Sequence, residues 1–191
     1  MRNKTDRRPD PSASDGTEPR FDRELRILLV LGAGAVILYI LMAVGLFGLL
    51  GFESAQSLDV RFGYTGQTAG QVLTDLGDRG RIEYLVFHCL DYLFALALYP
   101  SLGILIRRQI RESRLPTPVS FLALLPLAAG LCDIIENLII DLSLLGFPRI
   151  SLAWLGAAGG FTLAKFLLLG LGLLALVVFG LYRYTRRTGD R

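Results

Sequence analysis

Asp133, Glu136 and Asn137 stand in the middle of an apolar stretch that runs from Val119 to Leu145. An ionised carboxyl facing lipid is costly, so acids inside a membrane turn inward and either find a partner or mark a functional path. Their spacing of i, i+3, i+4 puts all three on one face of a helix. Two further apolar stretches carry groups of the same kind. Tyr84, His88 and Asp91 follow i, i+4, i+7 spacing in the stretch Tyr84 to Ile106, and Lys165 lies in the stretch Leu152 to Tyr182. At 1.5 Å per residue, His88 and Asp91 lie roughly 6 and 10 Å from the outer end of their stretch, Glu136 and Asn137 about 12 to 14 Å, and Lys165 roughly 20 Å. The lysine stem is long enough to reach outward, so three helices offer polar groups at overlapping depths.

The chemistry expected of this cluster follows from its charges. One acid, Asp133 or Glu136, should pair with Lys165, because neither ion is tolerable alone in an apolar medium. Asp91, Asp133 and Glu136 against one lysine leave a carboxyl without a cation, and His88 is within reach to share its proton. A carboxyl in that position suits proton transfer or proton coupling. The alternative is a hydrogen-bonded network that only fixes helix register. Asp141, nearer the outer end, reads as an interfacial residue.

Other chemistries have less support. The chain has one His and no HExxH pattern, so no metal site is expected. Cys89 and Cys132 fall on different stretches without a CxxC motif and read as small buried hydrophobes, with a pairing between them left open. There is no Walker loop and no serine hydrolase signature; no cofactor is expected, and nucleic acid has no basis as a partner.

The elements that must position these groups follow from composition. Hydrophobic residues make up 52% of the 191 and charged residues only 19%, with a mean hydropathy of +0.50. That balance excludes an ordinary soluble domain. Four stretches, 27–50, 84–106, 119–145 and 152–182, reach the roughly 20 apolar residues that a bilayer core requires. The expected fold is all-α, an antiparallel bundle of four transmembrane helices. The first apolar run is too long for a signal-peptide core and is expected to stay as an anchor. Pro100 and Pro126, inside the second and third stretches, are expected to kink them and help open a pocket.

Charge placement predicts orientation. Arg2, Lys4, Arg7, Arg8, Arg20, Arg23 and Arg26 precede the first stretch, Arg107, Arg108, Arg111 and Arg114 follow the second, and Arg183, Arg186, Arg187 and Arg191 follow the fourth. The opposite side holds only Arg61, Arg79, Arg81 and Arg149, which predicts cytoplasmic termini in a cell membrane by the positive-inside rule. Residues 1–20, rich in Pro, Ser and mixed charge, are expected to be a disordered tail, and 183–191 a second cytoplasmic tail.

The outer loop, 51–83, is the most structured soluble part. Val60, Phe62 and Tyr64 alternate, a helix is predicted to start at Thr65, Ala69, Val72, Leu73 and Leu76 fall at helical spacing, and Gly77 should end it. Such a segment either covers helix ends or acts as a lid, with Asp59, Arg61 and Tyr64 as its polar contacts. Gly156 and Gly160 stand four apart, a spacing that serves packing within the bundle or formation of a homo-oligomer.

The run Gly63-Tyr64-Thr65, then Leu76-Gly77, Gly80-Arg81 and Tyr84, followed by Asp91 and by Asp133, Glu136 and Asn137, resembles a group of uncharacterised bacterial four-span membrane proteins. The resemblance covers residues 58–137 and implies a fold but no activity. Three functions remain in play. The cluster serves a lipid or small-ligand pocket opening toward the outer face, with an enzyme using the buried acid as one form of it. Alternatively it serves a proton- or solute-coupled transporter, or a structural subunit of a membrane assembly.

Overall fold

A computed structural model describes residues 20–46 and 58–189. The expected disordered tail falls outside the described residues, apart from Arg20, as do positions 47–50 of the first predicted span. Every regular element among the described residues is helical. Helix α1 (Arg20–Ile40) continues into a π-helical turn, Leu41–Leu46. Helix α2 (Gly66–Asp75) is short, α3 (Gly77–Glu112) is long, a 3-10 segment (Thr117–Leu124) leads into α4 (Leu125–Leu145), and α5 (Leu152–Gly189) closes the chain.

Four of these helical stretches are long and apolar enough to cross a membrane: Arg23–Val44, Gly77–Glu112, Thr117–Leu145 and Leu152–Arg186. They pack antiparallel, α1 against α3, α3 against α4, and α4 against α5, while α2 lies on α5. Their outward surface is apolar, with Val30 71%, Val44 64%, Leu145 72% and Val178 50% exposed, whereas His88, Glu136 and Asn137 are fully buried. An apolar exterior around a polar interior inverts the arrangement that water favours and is what a hydrocarbon solvent selects. The chain is an integral membrane protein of four candidate spans.

Local chemistry sets the boundaries. Thr65 caps α2, its side chain accepting a hydrogen bond from the Thr68 amide at 3.2 Å. Gly77 then takes φ +65°, a left-handed value that glycine adopts without steric penalty, and separates α2 from α3. The second span therefore starts seven residues before Tyr84. Residues 58–62 form turns and bends, and 63–65 lead without regular structure into α2, so the alternation of Val60, Phe62 and Tyr64 makes no strand. Pro126 does not interrupt the third span's helix. It sits in the first turn of α4, after the 3-10 segment, where its missing N–H breaks no intrahelical bond. Helix α5 continues past Tyr182 through Arg183 and Arg186 to Gly189.

Two apolar clusters seal the ends of the bundle. One joins Leu58, Leu73, Tyr84, Ile140 and Leu155; the other joins Ile106, Ile110, Ala175 and Phe179. The loop is held against α5 backbone to backbone. A Cβ on Gly66 would lie 1.9 Å from the Leu152 carbonyl oxygen, and one on Gly159 would lie 2.0 Å from the Tyr64 carbonyl oxygen. The small-residue face that packs is thus Gly156 with Gly159. Gly160 has nothing within 4 Å, so the Gly156/Gly160 pair does not pack as one surface within the bundle. At the Arg-rich end, Arg111 grips Glu24 with two nitrogens at 3.2 and 2.6 Å, and Glu112 pairs with Arg108 at 2.7 Å and with Arg183, tying α1 to α3 and α3 to α5.

Candidate functional site

Lys165 on α5 reaches two acids on α4. Its Nζ donates to Asp133 Oδ1 at 2.6 Å and lies 2.7 Å from Glu136 Oε2, with all three side chains almost fully buried. The Glu136 oxygen is close to the ammonium without hydrogen-bond alignment, so that contact is chiefly electrostatic. The expected pairing with one acid is therefore a pairing with both, because Asp133 and Glu136 lie three residues apart on the face that meets α5.

The other oxygen of Glu136 is held from two directions. Thr162 Oγ1, one turn before Lys165, donates at 2.6 Å, and the Tyr64 hydroxyl donates from the loop at 3.1 Å. Burial, reinforced by the charge of Glu136, pushes the Tyr64 phenol well above its usual range, so this hydroxyl stays a donor at any working pH. Asn137 turns its amide to Asp91 on α3, Nδ2 to Oδ2 at 2.6 Å. Among the described residues Asp91 forms no salt bridge.

His88 belongs to a second group. Its Nδ1 is 2.5 Å from Asp141 Oδ1, whose other oxygen accepts from the Tyr92 hydroxyl at 2.7 Å, and its Nε2 faces Asp59 Oδ1 at 3.5 Å. Tyr84 lies against the imidazole with ring centroids 4.5 Å apart, donates to Asp59 Oδ2 at 3.0 Å and accepts from the Leu58 amide at 2.9 Å. The histidine thus bridges a loop carboxylate and an α4 carboxylate rather than sharing a proton with Asp91, Asp133 or Glu136. Asp141, read from the sequence only as a residue near the outer end, is also a partner of His88. The reason is helical: Asp141 lies four residues beyond Asn137 on the same face of α4.

A cavity of about 560 Å³ lies between α1, α3 and α5. Asp59, Asp91, Asp133 and Lys165 reach it, and its walls include the rings of Tyr39, Phe87, Phe94, Tyr99 and Phe166. Asp59 therefore touches both the cavity and the histidine group. Tyr64 reaches Glu136 behind the cavity wall, and Arg61 is not among the cavity residues. Cys89 and Cys132 are free thiols, so the pairing left open by the sequence does not form. No group of three or more His, Cys, Asp or Glu side chains among the described residues is arranged to hold a metal ion.

Sequence reasoning missed Thr162 and Asp141 as members of the polar network, and it placed Tyr84 on the face of His88 and Asp91 without finding its partner. Helical spacing carried a signal for both missed residues: Thr162 precedes Lys165 by three residues, and Asp141 follows Asn137 by four. The partner of Tyr84 is Asp59. That pairing depends on where the loop places Asp59, and spacing along α3 says nothing about that. Comparison with protein-family models, with curated proteins and with solved structures returns no match, so the site has to be read from its own residues.

Proposed function

We propose that this protein binds a lipid or small amphiphilic ligand in the intramembrane cavity between α1, α3 and α5. One observation carries the reading: a volume of about 560 Å³ combines aromatic and aliphatic walls with a few converging polar groups, Asp59, Asp91, Asp133 and Lys165. That combination is typical of ligand sites, where apolar lining supplies contact area and a small number of polar groups fix orientation. The Lys165–Asp133–Glu136 triad and the Asn137–Asp91 bond hold the polar side in place. Tyr64 and Asp59 connect it to the loop, on the side opposite the Arg-rich helix ends. The arginine distribution supports a topology with both termini in the cytoplasm and this loop outside.

A second reading rests on His88. A chain of groups, Asp59 at the cavity, His88, then Asp141 with 16% of its side chain exposed, joins the pocket to the bundle surface, and an imidazole between two carboxylates is a group that can relay a proton. This arrangement favours a proton-coupled role for the pocket over a purely structural one.

The test is native mass spectrometry of protein extracted in lipid nanodiscs, beside Asp133→Asn/Glu136→Gln and Ala43→Phe. Ala43 lines the cavity on the π-helical turn, away from the ion cluster. The expected result is a discrete bound mass in the parent protein that is lost in the Ala43→Phe variant with the helical signal intact. An identical bound mass in all three would refute the proposal.

A further inference from the structure

We infer that the ligand of this cavity is an apolar organic cation, a hydrophobic amine or quaternary ammonium group carrying a bulky apolar body. The inference rests on the pocket reading above and adds the charge of the occupant. Of the three acids that reach the cavity, Asp133 is paired with Lys165 and Asp59 faces His88 at 3.5 Å, which leaves Asp91 as the one turned to a neutral donor. That lysine is engaged twice within the protein, by Asp133 at 2.6 Å and Glu136 at 2.7 Å, and so offers no spare charge to an anionic headgroup. Asp91 is 7% exposed, accepts from the Asn137 amide, a neutral donor, and forms no salt bridge among the described residues. A cation entering the cavity would supply the countercharge that favours the ionised form of this buried carboxyl.

The walls make the same choice. Tyr39 and Phe94 lie with ring centroids 6.3 Å apart, Phe166 stacks on Phe62 at 5.5 Å, and Phe87, Phe94 and Tyr99 all come from α3. Phe166 already faces a cation, the Lys165 ammonium at 5.5 Å from its ring centroid. Aromatic faces attract cations through the negative potential of the ring and are the usual lining for quaternary ammonium groups. An anionic or zwitterionic headgroup would find its phosphate facing Asp91 and the ring faces, with no arginine in the cavity to receive it. Charge and wall chemistry therefore select the same class of occupant.

The experiment uses full-length protein in nanodiscs free of choline lipids, with equilibrium dialysis of labelled tetraphenylphosphonium and its same-shaped anion tetraphenylborate, each corrected for empty discs. The expected result is saturable binding of the cation about tenfold tighter than of the anion, lost in Asp91→Asn and retained in Asp91→Glu. Ala43→Phe, which fills the cavity and leaves every carboxylate in place, should abolish it too, so the inference is testable even where Asp91→Asn fails to fold. Added phosphatidylcholine, whose headgroup carries a phosphate, should leave the signal unchanged, and its displacing the probe would overturn the restriction to cations without an attached anion. Equal retention of both probes would overturn the cation inference and leave the pocket reading standing, as would no cation binding alongside a bound mass sensitive to Ala43→Phe. Loss of both the probe and any bound mass would overturn the two together.

Discussion

Replacing Lys165 by Met removes the one ammonium that two buried carboxylates share while keeping most of the side-chain volume. Removing one partner of a buried ion pair costs about 3–5 kcal/mol, chiefly because the remaining charge is left uncompensated. Polar contacts between membrane helices average less, about 0.6 kcal/mol, since the unfolded chain in the bilayer finds other partners. The two acids do not depend on the lysine equally. Asp133 receives the aligned hydrogen bond at 2.6 Å, whereas Glu136 is near the ammonium without alignment and keeps Thr162 and Tyr64 as donors once it is gone. Double-mutant cycles should therefore give a coupling of about 2–3 kcal/mol between Lys165→Met and Asp133→Asn and about 1 kcal/mol between Lys165→Met and Glu136→Gln. Reversible unfolding in mixed micelles, followed by circular dichroism, measures both. Additive losses in the Asp133 cycle, within about 0.5 kcal/mol, would rule out the pairing, and a larger Glu136 coupling would reverse the assignment of the principal partner.

Three further outcomes follow from the geometry. Gly159→Ala forces a Cβ to within 2.0 Å of the Tyr64 carbonyl oxygen and should lower stability by at least about 1–3 kcal/mol in thermal unfolding, while Gly160→Ala, with nothing within 4 Å, should be close to neutral. Tyr84→Phe removes a donor to Asp59 and an acceptor for the buried Leu58 amide, and should cost about 1–3 kcal/mol in the same assay with the helix content unchanged. Arg111→Ala breaks an exposed fork with Glu24, so its effect should stay below about 1 kcal/mol and shrink further on adding salt.

Solvent preference is a property of composition and run length, and it was legible along the chain. Four apolar stretches specify four helices in a membrane whatever their packing, because only a helix satisfies its own backbone in lipid. The polar triplet Asp133, Glu136 and Asn137 was legible for a related reason: an acid in such a stretch has to turn inward, and helical spacing shows which residues turn with it. The Thr65 cap and the Gly77 break are local as well, each fixed by a side chain or a φ angle within a few residues.

Partner choice was not local. That His88 meets Asp59 and Asp141 instead of Asp91 depends on the register between α3 and α4 and on where residues 58–65 rest, which the close backbone contacts of Gly66 and Gly159 with α5 and the loop decide. Helical spacing names the faces but not the rotation of one helix against another, so it left Asp133 and Glu136 as alternatives where Lys165 reaches both. The cavity is likewise a property of the assembly, since α1 packs on α3, α5 packs on α4, and the space between them exists only once all four helices are in place. The sequence by itself determined the solvent, the helices and the presence of buried charge; the tertiary structure alone decided which charges meet and which face the cavity.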